Sequence, residues 1–385
     1  NLVRRCSQGL CLLEVALSES RTRRTIAPAV TVIIPAYNAM RYLPRTLHSV
    51  LNQTYQNFSV VIVDDGSQDG LSAWYRQLSV PVKSRVRLLS QPRQGTAGAR
   101  NAGLACSCSP YVAFLDADDL WLPEKLARQI AFLEASPAVS LVYCWAAAID
   151  SDGHWTGHLY TGHLYTGHLH AGYLHTGRLR TRRLRQLAWA NLVVRNEIST
   201  PSTVLARRSC LETVGGFDPM LHSYVEDKDL WLRIASNYQI GWISEVLVHK
   251  RRHSLNTSKQ WHAMEKAGYQ VLEKAFASPP SAIAQDQLIR LRRRSHAELN
   301  CLLAWKPLQT NEVDVQAALN YLLGAWRYLP SIVFSKESCK LILVMGILTI
   351  VGVQRYRLML RLVAKLRYWL SSIKTFLLRV SLCRL

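Results

Sequence analysis

Several things are scarce in this 385-residue chain. Its longest apolar run, Leu341 to Val353, falls short of the ~20 residues that a helix needs to cross a bilayer. No membrane span is therefore expected. The 9 cysteines are an odd number and include no Cys-x-x-Cys pair, Cys106 and Cys108 being the closest neighbours. That argues against a zinc site and against a disulfide scaffold, and it fits reduced thiols in a cytosolic setting. The stretch before Arg21 lacks an initiator Met, and Glu14 interrupts its apolar run Leu10–Leu17. It reads poorly as a signal peptide, so residues 1–29 are expected to be a disordered N-terminal extension. Acids are few as well. Against 47 Lys and Arg stand 26 Asp and Glu, a formal charge of +21. An excess of that size calls for a polyanion: nucleic acid, an anionic membrane or a phosphate-rich substrate.

The acids that are present gather. Tyr111-Val-Ala-Phe-Leu-Asp116-Ala-Asp118-Asp119-Leu-Trp121 is a short apolar strand that ends in three carboxylates. Such a cluster resists desolvation, and a hard divalent cation would hold it together. The plain alternative is an acidic turn capping the helix that starts near Pro123. Upstream, Val30–Ile34 and Phe58–Val63 read as buried strands, the first ending at Pro35-Ala36-Tyr37-Asn38 and the second at Asp64-Asp65-Gly66-Ser67. Short helices are expected at Tyr42–Gln53, Leu71–Leu78 and Pro123–Ala135, a helix opening in the small-residue run from Gly95 to Gly103, and further strands at Val86–Leu89 and Leu141–Trp145. Strands alternating with helices predict an α/β parallel sheet, and such sheets bind ligands at the carboxyl ends of their strands. Those ends carry Pro35 to Asn38, Asp64-Asp65 and Asp116 to Asp119.

From Gly153 a five-residue repeat appears, marked by Gly157, Gly162, Gly167, Gly172 and Gly177, that degrades towards Arg185. So few units cannot stack a core. Expansion of a tolerant surface loop is the better reading, ahead of a metal site at His158, His163 and His168. Strands are then expected at Ser202–Ala206 and Ile240–Val248, a helix over Val225–Ile234 with acids in its first turn, and helices beyond Ser254. The tail interleaves Arg355, Arg357, Arg361, Lys365, Arg367, Lys374, Arg379 and Arg384 with apolar residues and holds no acid. It reads as an in-plane contact with an anionic membrane surface, or as helices packed on the rest of the protein.

Taken in order, Val32-Ile-Ile-Pro35-Ala-Tyr37-Asn38, Val63-Asp-Asp65-Gly-Ser67, Gly98-Ala-Arg100-Asn-Ala-Gly103, Asp116-Ala-Asp118-Asp119, Gly215-Gly-Phe-Asp218 and Glu226-Asp227 resemble the family 2 inverting glycosyltransferases of GT-A fold. The resemblance covers roughly Ala29 to Ser258 outside the repeat. It implies a Rossmann-like, mixed but mainly parallel sheet flanked by helices, with a helical C-terminal region. The implied organisation is a glycosyltransferase domain at 30–258, with a nucleotide-binding half at 30–150, the repeat insertion at 153–185 and an acceptor half at 190–258, followed by the helical region at 259–385.

The resemblance also implies roles. Pro35, Ala36, Tyr37, Asn38 and Asp65 would line the nucleotide site, with Asp65 accepting from the base. Arg100 would sit near the nucleotide or its phosphates, and Asp116 would face the ribose or sugar. Asp118, and less directly His253, would hold Mg²⁺ or Mn²⁺. Asp227 would be the catalytic base, with Glu226 beside it. Each has a plainer reading: Asp65 as a turn cap, Arg100 as a surface cation, Glu226 and Asp227 as helix N-terminal acids. No Gln-x-x-Arg-Trp motif is present, Trp326-Arg327 being its nearest fragment. With no long membrane spans either, transfer of single sugars is favoured over processive synthesis.

The expected activity is therefore metal-dependent, inverting transfer from a nucleotide diphosphate-sugar to a glycan or lipid-linked acceptor. The setting would be cell-surface polysaccharide or glycolipid synthesis, in the cytoplasm or peripheral on the inner face of the membrane. A degenerate homologue that only binds nucleotide-sugar or glycan is the alternative. Nucleic acid is not expected, since the basic residues match no nucleic-acid-binding motif.

Overall fold

The β-branched run at Val30 becomes β1 (Val30–Ala36), buried along its whole length. It is paired on both sides, in parallel register with β2 (Phe58–Asp64) and β4 (Tyr111–Phe114). Pro35 continues the strand instead of ending it. It lies past Ile33, the last residue that pairs β4, so its missing N–H interrupts no ladder. The computed structural model describes residues 28–161, 181–221, 225–253, 261–310 and 312–355. Residues 1–27, most of the repeat and the basic tail from residue 356 lie outside them.

The remaining strands are β3 (Val86–Ser90), β5 (Leu120–Trp121), β6 (Val139–Ile149), β7 (Trp155–Tyr160), β8 (Val204–Arg207) and β9 (Gln239–Arg251). Their order is β3-β2-β1-β4-β8-β6-β9-β5, with β7 on β6. The first four are parallel. β8 then runs antiparallel to both β4 and β6, and β6 and β9 are parallel. The sheet is mixed, as the resemblance implies, and β6, β8 and β9 lie over the strands expected at Leu141–Trp145, Ser202–Ala206 and Ile240–Val248.

The helices are α1 (Leu43–Leu51), α2 (Leu71–Gln77), α3 (Val80–Lys83), α4 (Gly95–Ala105), α5 (Lys125–Ala135), α6 (Thr181–Val194), α7 (Arg208–Thr213), α8 (Glu226–Asn237), α9 (Trp261–Ala277), α10 (Gln285–Leu308), α11 (Val315–Tyr328) and α12 (Lys336–Val351). The small-residue run is α4 itself. A Cβ on Gly103 would lie 2.5 Å from Ile33 Cγ2 and 3.3 Å from Val63 Cγ2, so glycine is what lets α4 press on β1 and β2. Asn101, on the same helix, donates to the Phe217 carbonyl and accepts from the Phe217 N–H. It thereby ties α4 to the Gly215-Gly216 turn, where both glycines have positive φ.

The chain divides into two units inside α10, between Leu291 and Arg292. The first holds the sheet and its core, in which Val32, Ile34, Leu43, Val60, Ile62, Leu115 and Leu126 are all buried. The second has its own core from α10, α11 and α12, including Ala304, Leu322, Leu341 and Met345. Among the described residues no helix is long and apolar enough to cross a membrane.

Candidate active site

The strand ends of the parallel half are laced together by side chains. Asn38 takes a left-handed backbone, φ 49°. Its N–H donates to Ser67 Oγ at 3.0 Å, and its own Oδ1 accepts from the Gln68 N–H at 2.9 Å. Asp64 Oδ1 accepts from the Ser67 N–H and Asp69 Oδ2 from the Met40 N–H. Pro35 and Ala36 are buried, so they offer a ligand backbone at most, and the Ala36 carbonyl already accepts from the Asp65 N–H. Tyr37 is 42% exposed. The Arg93 guanidinium lies 4.0 Å over its ring and donates to its hydroxyl at 3.2 Å.

Asp65 is 3% exposed. Its carboxylate accepts from Gln91 Nε2 and from the backbone N–H groups of Gln94 and Gly95, each at 2.8 Å. These bonds tie the end of β2 to the start of α4.

The acidic turn is held from below by α1. Thr46, fully buried, donates to the carbonyls of Ala117 and Asp119. The three carboxylates then part company. Asp116 accepts from Arg100 Nη2 at 2.7 Å and from Thr200 Oγ1 at 2.9 Å, while its side chain stays 29% exposed. Asp118, 24% exposed, lies 2.8 Å from His253 Nε2, and the His253 ring stacks on Tyr42 at 5.0 Å between centroids.

Asp119 is 2% exposed. It accepts from Ser202 Oγ at 2.6 Å and from the Arg251 N–H at 2.8 Å. Burial first, then the charges of Asp118 and Asp116, push its carboxyl well above the usual range. The plain alternative, an acidic turn that caps the next helix, is corrected here for Asp119. The two residues of β5 pair with β9 before α5 begins, so Asp119 clasps β9 instead.

Arg100 is no surface cation. It is 3% exposed and bridges Asp116 to Glu226 Oε1, at 2.7 Å on each side. Burial alone would lower its pKa, but the two carboxylates together raise it, so it stays charged. Glu226 Oε1 also accepts from Thr96 Oγ1, which makes Glu226 the counterion that holds α4 to the start of α8. Asp227, the next residue, is partly exposed and accepts from the Lys228 N–H at 2.6 Å. Burial, then the neighbouring Glu226, push its carboxyl up to about 6.

Sequence reasoning passed over four contributors. Ser202 reads as the start of a strand, but Pro201–Thr203 is a 3-10 turn capped by Thr200, and the hydroxyls of Thr200 and Ser202 sort Asp116 from Asp119. Arg251, 1% exposed, donates from Nε to the Asp118 carbonyl. Lys250 donates to the Ser199 carbonyl, and its charge lowers the pKa of both Asp119 and Asp227. The run of cations after a strand was the available signal for these last two.

Asp118 and His253 could hold a metal. Adjacent ligands on an octahedral ion at ~2.1 Å lie ~3 Å apart, and the carboxylate oxygen and imidazole nitrogen stand 2.8 Å apart. Among the described residues one group of three potential ligands also converges, Asp150, Asp152 and His154. There Asp150 Oδ1 accepts three backbone N–H groups, which is the turn between β6 and β7.

The description "Glycosyl transferase family 2" matches residues 31–209, a span that holds the acidic turn, Asp65 and Arg100. Those residues are a family 2 glycosyltransferase domain. An uncharacterized glycosyltransferase of Nostoc sp. is 42% identical to this one over 114 residues, 30% of this chain and 35% of the relative. The putative teichuronic acid biosynthesis glycosyltransferase TuaG of Bacillus subtilis is 40% identical over 107 residues, 28% of this chain and 42% of TuaG. The chain thus spans less than half the length of either relative. Among solved structures, the mannosyltransferase PcManGT of Pyrobaculum calidifontis, in complex with GDP-Man and Mn²⁺, is 19% identical. It covers 94% of this chain and 95% of its own, with a TM-score of 0.53. The glycosyltransferase domain shares that GT-A fold.

Proposed function

We propose that the chain transfers a single sugar from a nucleotide diphosphate-sugar to a glycan or lipid-linked acceptor, with inversion, assisted by a divalent metal. The observation that carries this reading is the linked set of acids at the strand ends. Asp118 stands beside His253, Asp116 is joined through Arg100 to Glu226, and Asp227 follows Glu226 on α8.

In this reading Tyr37, its ring exposed and backed by Arg93, stacks on the base. Asp116, fixed by Arg100 and Thr200 yet still partly exposed, takes a hydroxyl of the ribose or sugar. Asp118 and His253 hold Mg²⁺ or Mn²⁺, which when bound neutralises the charge growing on the leaving diphosphate. Asp227 takes the proton from the attacking acceptor hydroxyl, and a carboxyl raised towards 6 is a stronger base than an ordinary aspartate. One displacement inverts the anomeric centre, so no enzyme nucleophile is required. Glu226, bound by Arg100 and Thr96, positions the base instead of acting as one.

A panel of nucleotide-sugars tests this reading, with Mn²⁺, the ion in the PcManGT complex, as the first metal. Release of nucleoside diphosphate from at least one donor, stopped by a chelator and restored by the metal, is the expected result. If no donor is cleaved although nucleoside diphosphate binds, the chain is a binding homologue and the transferase reading fails.

A further inference from the structure

The end of β9 and the residues after it carry a run of cations, of which the site described above uses Lys250, Arg251 and His253 but not Arg252. Arg251 and His253 turn to the acidic turn. Lys250 and Arg252, on the other side by the two-residue period of a strand, meet Tyr160 of β7. The Lys250 ammonium lies 5.1 Å and the Arg252 guanidinium 5.2 Å from the centre of that ring. Arg252 Nε donates to Tyr160 Oη at 2.6 Å. His158, two residues earlier on β7, packs edge-on to the same ring at 4.7 Å. Burial, then the charges of Arg252 and Lys250, lower its pKa.

The cluster therefore brings two cations to one aromatic ring, an arrangement favoured by cation–π attraction and opposed by their mutual repulsion. Among the described residues neither Lys250 nor Arg252 forms an ion pair with a carboxylate. One end of the cluster borders the site, because Lys250 donates to the Ser199 carbonyl, next to the Thr200 hydroxyl that holds Asp116. Its other end is Arg252, which is exposed. A phosphate or carboxylate satisfies such a pair, the guanidinium offering its fork of donors and the ammonium a point charge.

We propose that Lys250, Arg252 and Tyr160 form a subsite for an anionic group of the acceptor, a phosphate or carboxylate that anchors it while its hydroxyl faces Asp227. The inference rests on the glycosyltransferase reading for the word acceptor. The donor diphosphate is assigned to the opposite side of β9, at Asp118 and His253.

Binding of three polymers of matched length tests it: poly(glycerol phosphate), polygalacturonate and neutral dextran. Each is titrated against the wild type, Arg252→Gln and Arg87→Gln, the last removing one exposed charge from β3. UDP and GDP with Mn²⁺ are titrated in parallel, and circular dichroism checks the fold of each variant. The wild type should prefer one of the two anionic polymers to dextran, and which one it prefers separates phosphate from carboxylate. Arg252→Gln should weaken that binding about tenfold, the scale of one charged hydrogen bond, with Arg87→Gln and the nucleotide affinity unchanged. Equal loss in both variants would mean bulk charge, and a fall in nucleotide affinity in Arg252→Gln would give the cluster to the donor. Either result, or no preference over dextran, overturns the subsite. If UDP and GDP bind no protein while the polymer pattern holds, the transferase reading fails and the anion site stands.

Discussion

Glu226 and Asp227 are neighbours in sequence with opposite surroundings. The first accepts from a buried guanidinium and a hydroxyl, which tie its carboxylate into the wall of the site. The second is pushed up to about 6 by burial and by that neighbour. A base must be deprotonated to act, so kcat/KM should be level above pH 6 and fall about tenfold per unit below it. Asp227→Asn should abolish turnover at every pH, and a pH profile of donor consumption checks both statements.

Lys125 gives a second pH signature. It is fully buried, hydrogen-bonded to Gln129 Oε1, and burial lowers its pKa to about 7 from 10.5. The folded state therefore binds fewer protons than the unfolded state between those values, so this residue's contribution to stability rises with pH across that window. Lys125→Met should raise Tm, and by more at pH 6 than at pH 9, as scanning calorimetry at the two pH values would show.

At the scale of elements, α4 is held by contact and by charge. Gly103→Ala would drive a methyl into Ile33 and should cost ~1–3 kcal/mol, as overpacking does. Glu226→Ala leaves the buried Arg100 with Asp116 alone and should cost ~2–4 kcal/mol. Urea denaturation measures both.

This layer also marks what could be read in advance. β1, β2 and β4 were legible because buried parallel strands are continuous apolar runs, and the acids at their ends stand out against them. β6 and β9 were read short. Their ends depend on pairing with each other and, for β6, with β7, partners that no local pattern reveals. Asp119 was misassigned for the same reason, since its partners Ser202 and Arg251 lie far along the chain. Arg100 could be recognised as part of a motif. Its burial between two acids could not, because those acids come from different elements.

For the whole molecule, the formal charge of +21 is a field and not a site. The described residues concentrate part of it at Lys250 to Arg252, and the basic tail carries more. The central claim is that the acidic turn and α8 serve one reaction. The most direct measurement is turnover of the best donor by Asp118→Ala and by Asp227→Ala beside the wild type, with circular dichroism confirming that both variants fold. Loss of turnover in each, with metal-dependent nucleotide binding lost in Asp118→Ala and kept in Asp227→Ala, is the predicted result. Full activity in either folded variant would contradict the account.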